Sequence, residues 1–424
     1  MTISPPAPPH AAVAGHKSHL CPRICIVGGG FGGLYTAVYL QKYRHLRNCE
    51  ITLVEPQEQF LFTPLLYEVL TDELQVWEIA PTYSSLVAGK NIHWKQDRAV
   101  DVNLAERQVT LARGEVLPYD YLVMATGAVT RKVETPGVEN YAQPFRTLND
   151  ALTLKTRLEQ LAATHSSPSI IVVGGGASGV ELATKVSDRL KGRAQVVLID
   201  RGNAILKPFA QGLRRAAEKA LKKRGVEVWY HSSVDEITDR QVLGQRAGQT
   251  FVRDCDLTIW ATGTQPLGWL GSDAVASNEY GQVWVKPTLQ LIDHAEVFML
   301  GDSAVIQGAA QPNPNTAQAA YQGADAVAKS LAAMVKGKSA QPFHYLHLGD
   351  MLTLGAGAGG VWSFGLTMSG KLGGLVRRAV YIYRLPTRRH RLKVARNALK
   401  QLFRLGRKPA KTHRAALAMR EDSY

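Results

Sequence analysis

Paired cysteines are missing from this sequence. Only four occur in 424 residues, Cys21, Cys25, Cys49 and Cys255, and none has the short paired spacing that a zinc, haem or iron–sulfur centre requires. A metal centre is excluded on that ground. A dithiol relay is excluded too, because Cys21 and Cys25 precede the first glycine turn and Cys25 falls within an apolar strand. The thiols are expected to stay reduced.

A membrane span is also missing. Met351 to Met368 is 18 residues without charge, but five are glycines, so it reads as strands and turns. Residues 1–20 are rich in Pro, Ala and His with no apolar core of signal-peptide type. They are expected to form a disordered leader, with no signal peptide. Acid is absent from the C-terminal part: Met351 to Arg420 holds no Asp or Glu and 16 Lys or Arg, against a net charge of +15 for the whole chain. The basicity therefore belongs to the tail, and the remainder is close to neutral.

What is present is a glycine-rich device that occurs twice. Arg23 to Ala37 reads as an apolar strand, a turn with Gly28, Gly30 and Gly33 in G-x-G-x-x-G spacing, and a helix start. The glycines permit the tight turn, the approach of a diphosphate, and close helix–strand packing. A second strand, Cys49 to Glu55, ends in a carboxylate placed to accept from ribose hydroxyls. The pattern recurs from Ser169 with Gly174, Gly176 and Gly179, followed by Gln195 to Asp200. Each copy continues into an alternating stretch, Ala99 to Leu117 and Val226 to Arg253, and then into a strand ending in Ala-Thr-Gly, at Gly127 and Gly263. Each is expected to be a doubly wound α/β unit with a small β-meander inserted.

This order of motifs resembles the two-dinucleotide-binding-domain flavoproteins of the glutathione-reductase-like type over about residues 23–330. The resemblance implies α/β architecture with two Rossmann-like domains, the first holding FAD and the second, inserted one holding NADH or NADPH. Implied boundaries are 21–148 and 286–340 for FAD, 149–285 for NAD(P)H, and 341–424 for a basic amphipathic region. A Gly-Asp pair after a late strand, Gly301-Asp302, matches the mark whose carboxylate reaches the flavin's ribityl-phosphate region. FAD contacts are implied from Gly28, Gly30, Phe31, Gly32, Gly33 and Glu55, from Val100, and from Ala125, Thr126 and Gly127. NAD(P)H contacts are implied from Gly174, Gly176, Ala177, Ser178 and Gly179, from Asp200 and Arg201, and from Thr262 and Gly263.

Three further segments narrow the resemblance. Asn315 to Gly323 is similar to the A-Q-x-x-x-Q helix of type II NAD(P)H dehydrogenases, which implies that Ala317 and Gln318 lie beside the flavin and that Gln318 and Gln322 line a quinone site. A solvated helix face is the plain alternative. Phe60 to Tyr67 resembles the family's stretch that sets Thr63 and Pro64 against the isoalloxazine, although a loop packed on the second strand accounts for it equally. Tyr67 to Pro81 and Tyr381 to Arg396 resemble the cyanobacterial and plastid demethylphylloquinone reductase branch. The resemblance also offers Glu181 as a carboxylate near the nicotinamide, against an ordinary first-turn carboxylate favoured by the helix dipole, and Lys371 as a lysine near the flavin. The flavin would carry the chemistry, with the protein supplying position and electrostatics.

Asp200 favours NADH, because it repels a 2′-phosphate, and Arg201 beside it leaves NADPH open. In the tail, Leu392, Ala395, Leu399, Leu402 and Phe403 share one helical face and Arg396, Lys400, Arg404 and Arg407 another. A basic amphipathic helix of this kind suits an anionic membrane surface. A twin subunit or non-specific nucleic acid are the alternatives, and no specific nucleic-acid motif occurs. The expected activity is NAD(P)H:quinone oxidoreduction by a peripheral membrane protein on the cytoplasmic or stromal face. Reduction of a small acidic redox protein is the competing activity.

Overall fold

The computed structural model describes residues 21–131, 134–273, 275–309 and 311–406, with side chains to residue 400. The expected leader, the side chains of Leu402, Phe403 and Arg404, and Arg407 lie outside the described residues.

Two parallel five-stranded sheets organise the chain. The first uses β1 (Ile24–Val27), β2 (Ile51–Val54), β3 (His93–Lys95) and β4 (Tyr121–Met124). The second uses β5 (Ala142–Pro144), β6 (Ser169–Val173), β7 (Gln195–Ile199), β8 (Glu227–Trp229) and β9 (Leu257–Trp260). The fifth strand of the first sheet arrives late, as β10 (Val297–Met299). Strand orders are β10-β4-β1-β2-β3 and β8-β7-β6-β9-β5, and all pairings are parallel. β1, β2, β9 and β10 are buried at every residue, which is why these strands read as unbroken apolar runs instead of alternating ones. The expected meanders are present as antiparallel three-stranded sheets, at residues 99–118 and 232–254.

α1 (Phe31–Leu40) follows β1 and α2 (Ala177–Arg189) follows β6. α3 (Ala317–Met334) packs along α1 and is capped by Thr316, whose hydroxyl accepts from the Ala319 amide at 3.2 Å.

Two expectations are corrected here. β5 pairs with β9 in the second sheet, so the expected 148/149 boundary falls after an edge strand of the second unit. The tail is also more deeply built in than an amphipathic appendage. β11 (Asp350–Thr353), β12 (Gly359–Ser363) and β13 (Leu366–Ser369) form a small antiparallel sheet, followed by α4 (Gly370–Arg384) and α5 (Arg388–Gly406). Leu352 and Leu354 belong to the hydrophobic core of the second unit. Leu385 and Val394 belong to that of the first. Burying them gives residues 350–394 an apolar driving force of their own, about 1.5–3 kcal/mol for each fully buried aliphatic side chain. His390 adds a hydrogen bond through Nε2 to the Glu78 carbonyl at 2.9 Å.

Candidate functional site

The two glycine turns share one design. A Cβ on Gly33 would stand 1.8 Å from the Gly28 carbonyl oxygen, and one on Gly179 1.8 Å from that of Gly174. Helix and turn are therefore in van der Waals contact, as the third glycine of the motif requires. Gly28 and Gly174 have φ of +96° and +116°, a conformation open to glycine. Beside Gly30 and Gly176, in contrast, a Cβ would meet nothing within 4 Å.

Those two glycines are the N-caps of α1 and α2. Neither helix has a side-chain cap or an acidic residue in its first turn, whereas Thr82, Thr147 and Thr316 cap other helices. Uncapped amides and the positive end of a helix, facing open space, form an anion site, and a dinucleotide diphosphate fits it. Phe31 and Gly32 on one side, and Ala177 and Ser178 on the other, begin the two helices.

The carboxylates repeat the symmetry. Glu55 accepts from the Gly29 amide at 2.7 Å and the Gln57 amide at 2.9 Å. Asp200 accepts from the Gly175 and Gly202 amides, both at 2.7 Å. Each is thus held at the lip of its turn, while Arg201 is exposed beside Asp200. Thr262 borders Gly174, and Gly263 follows at φ +71°. Ala125 packs on Gly28 and Gly32. The Thr126 hydroxyl lies 3.0 Å from that of Ser303, which donates to the Gly127 carbonyl at 2.7 Å. Gly301 and Asp302 begin a short turn directly after β10, and burial raises the Asp302 carboxyl above its usual range, with Arg146 opposing. Val100 is 47% exposed on the first meander.

The remaining expected residues are placed as follows. Gln318 and Gln322 do share a face of α3, but their amides hold the extended segment before β11. Gln318 accepts from the Leu348 amide at 3.0 Å and the Tyr345 hydroxyl at 2.9 Å, and donates to Gly349 at 3.3 Å. Gln322 donates to the Leu346 carbonyl at 2.9 Å and accepts from its amide at 3.0 Å. The backbone of residues 346–349 and the Tyr345 hydroxyl share their bonds. Ala317 opens the same helix. Lys371 is exposed in the first turn of α4. The basic residue of that helix that turns inward is Arg377, six positions later.

Glu181 is not a first-turn carboxylate either. It is the fifth residue of α2, buried, and accepts from the Thr353 amide at 2.8 Å. Around it lie Tyr67, Glu68, Arg377 and Tyr381. Arg377 pairs with Glu68 through Nη1, donates through Nη2 to the Pro64 carbonyl at 2.6 Å, and comes within 3.6 Å of Glu181. Burial pushes the Glu181 carboxyl up to about 7, against the pull of Arg377 and the Thr353 amide. Thr63 and Pro64 begin the helical turn that carries Tyr67 and Glu68. Lys185, fully buried one turn along α2, pairs with Glu73.

Sequence reasoning did not single out Glu68, Arg377 or Lys185. A signal existed: Glu68 is the one charge in Leu61 to Leu70, and a lone charge in an apolar run is a paired buried charge far more often than a surface one.

Burial removes Cys25 from a thiol relay. Cys25 is enclosed and its thiol is pushed up to about 12. Among the described residues no group of His, Cys, Asp or Glu is arranged to hold a metal ion.

Comparison with known proteins agrees with this geometry. Residues 22–324 match the family model described as pyridine nucleotide-disulphide oxidoreductase. The chain is 38% identical over 386 residues to demethylphylloquinone reductase NdbB of Synechocystis sp., covering 89% of this chain and 96% of that one. It is 34% identical to the alternative NAD(P)H-ubiquinone oxidoreductase C1 of Arabidopsis thaliana, covering 88% and 79%. Among solved structures, NDH2 from Plasmodium falciparum in complex with NADH superposes with a TM-score of 0.80 at 18% identity, covering 90% of this chain and 98% of that one.

Proposed function

This chain belongs to the pyridine nucleotide-disulphide oxidoreductase family and, within it, with the NAD(P)H:quinone oxidoreductases; from that premise we propose that it oxidises NAD(P)H and reduces a membrane quinone by way of FAD. One observation carries the reading: two glycine turns of the same design, each opening an uncapped helix and each with a carboxylate bonded to its amides, in a chain that runs nearly the whole length of a demethylphylloquinone reductase. Relatives at 38%, 34% and 31% identity bear quinone names, which favours a quinone over a small acidic redox protein. A demethylated naphthoquinone is the first acceptor to test.

FAD, when bound, supplies the two-electron relay between donor and acceptor. The chain's own residues do the rest. Gly28 to Gly33 and Glu55 hold the FAD diphosphate and ribose, and Gly174 to Gly179 with Asp200 hold those of NADH. Asp200 selects against a 2′-phosphate. The buried group of Glu68, Glu181 and Arg377 ties the two units and the tail together. We assign residues 21–141 and 286–340 to the FAD unit and 142–285 to the NAD(P)H unit.

The membrane contact follows from what the tail leaves uncovered. Phe364 and Leu366, at the turn between β12 and β13, are 76% and 73% exposed. Leu372, Leu375 and Tyr383 on α4 and Leu392 and Leu399 on α5 are also exposed, among Lys371, Arg388, Arg389 and Lys393. Apolar side chains ringed by cations suit the headgroup layer on the cytoplasmic or stromal side. No helix among the described residues is long and apolar enough to cross a membrane. Replacing Phe364, Leu366, Leu372 and Leu375 together by Ser should reduce binding to anionic vesicles by at least tenfold in a sedimentation assay, while NADH oxidation with a water-soluble quinone stays within twofold. Unchanged binding would remove this face from the membrane reading.

Anaerobic stopped-flow tests the function itself. NADH should bleach the yellow flavin, and a short-chain demethylnaphthoquinone should restore it rapidly. Bleaching without recovery would discard the quinone, and no bleaching with either nicotinamide would discard the two-nucleotide site.

A further inference from the structure

The first unit reaches into the second with the residues from Leu70 to Glu73. Leu70 lies in the hydrophobic core of the second unit, and Asp72 and Glu73 are held by that unit's charged side chains. Asp72, at φ +56°, pairs with Lys155 of the helix Leu148–Thr164 and with Arg189 of α2. Glu73 pairs with Lys185 of α2, accepts from the Thr71 hydroxyl, and accepts from the amide of Gly357, in the turn between β11 and β12, at 2.7 Å. Lys185 also donates to the Thr71 hydroxyl at 3.2 Å.

These pairs differ in what they can resist. The Asp72 side chain is 54% exposed, and ion pairs so open to water are screened and worth little. The Lys185 side chain has no exposure at all. An ammonium group so placed is stable only with a carboxylate against it, and parting the two leaves a charge unpaired in the interior. Against the effect of burial, Lys185, the Thr71 hydroxyl and the Gly357 amide hold the Glu73 carboxyl below its usual range. Apolar contacts between the units, such as Tyr67 on Phe145 at 5.1 Å, are non-directional and permit sliding. The Glu73–Lys185 pair does not, because both carboxylate oxygens are bonded and charge-assisted bonds fix direction as well as distance.

We propose that Glu73 and Lys185 are positioning residues for hydride transfer: their buried pair locks α2, and with it the bound dinucleotide, against the flavin unit. The two side chains take no part in the chemistry. α2 opens at the second glycine turn and carries Lys185 further along the same helix, so a shift of α2 is a shift of the dinucleotide. Reaction needs the donor and acceptor atoms about 3–3.5 Å apart, and a misplacement of about 1 Å costs roughly 100-fold in rate. The inference rests on the reading that NAD(P)H reduces FAD, and it is independent of which acceptor follows.

The test removes both charges together. Glu73→Gln combined with Lys185→Met keeps the volumes and leaves no unpaired ion, a replacement that buried pairs tolerate. In anaerobic stopped-flow of the holoenzyme, the limiting rate of flavin bleaching at saturating NADH should fall about tenfold or more. The long-wavelength charge-transfer absorbance of the NADH complex should weaken with it, while the NADH concentration for half-maximal rate stays within about threefold, since the glycine turn and Asp200 are untouched. A role in stability alone would lower the melting temperature and leave the limiting rate and the charge-transfer band where they were. That result would overturn the proposal. If the double variant does not retain its flavin, Glu73→Asp, which keeps the charge and withdraws the carboxylate by a methylene, decides by the same limiting rate and band. A natural protein that NADH fails to bleach would bring down the nucleotide reading and the proposal together, whereas a slowed variant in an enzyme that no quinone reoxidises would uphold the proposal and discard only the quinone.

Discussion

Gly33→Ala should yield a colourless protein, and Gly179→Ala a yellow one that NADH no longer bleaches. In both, the added methyl group would lie 1.8 Å from a backbone carbonyl oxygen, far inside van der Waals contact. Neither partner is a flexible side-chain end: one is the first turn of a helix and the other the glycine turn itself. The helix must move away from the strand, and the uncapped amides move with it. Strain of this kind costs about 2–3 kcal/mol, roughly 100-fold in nucleotide affinity. Flavin content after purification and the amplitude of anaerobic bleaching read the two outcomes separately. A Gly179→Ala protein that lost its flavin while keeping NADH affinity would reverse the assignment of the two turns. Gly30→Ala and Gly176→Ala, where a Cβ meets no protein atom, should leave the fold intact and weaken only the corresponding nucleotide.

The second large effect is expected from Arg377→Ala. Arg377 joins α4 to Pro64 and Glu68 of the first unit and approaches Glu181 of the second. Removing one partner of a buried pair leaves the other charge uncompensated, which costs about 3–5 kcal/mol. The loss must depend on pH. Glu181 already holds its proton more tightly in the fold than in the unfolded chain, about 7 against 4.5. Its contribution is therefore favourable below 4.5, and stability declines as pH rises through that window to 7. Without the guanidinium two carboxylates are buried together with no cation, and a proton on Glu181 relieves that repulsion. The melting temperature of Arg377→Ala should consequently approach that of the natural protein at pH 5 and fall furthest below it at pH 8. A deficit independent of pH would mean that packing, and not charge, is what Arg377 contributes.

The parts legible in the sequence were those that obey local rules. Both glycine turns, the carboxylates 55 and 200, the meanders and the strands around Met351 to Met368 declare themselves through spacing and alternation over a few residues. The Glu68, Arg377 and Glu181 group does not, because its members are separated by more than 100 positions and only tertiary packing brings them together. Gln318 and Gln322 show a subtler limit. Periodicity placed them correctly on one face of α3, but no periodicity states that residues 345–349 will lie against that face as an extended segment and take their hydrogen bonds. Of the two tail helices, only α5 was read from the sequence, by charge and amphipathicity, and its Leu392 and Leu399 are exposed. Leu385, His390 and Val394, which dock α4 and α5 onto the first unit, are scattered singly and look unremarkable among arginines.

The order in which the chain is made gives the placement of β10 and the tail a further meaning. The first glycine turn leaves the ribosome early, yet its sheet lacks its β10 edge strand until residue 299 is made, and its core lacks Leu385 and Val394 until almost the end. The second unit in turn waits for Leu352 and Leu354. Neither nucleotide-binding unit can be completed alone during synthesis, so closure is late and depends on contacts remote in sequence. Nascent chains stalled before residue 350 should therefore be open to proteases in both halves, and cofactor capture belongs to the period after release.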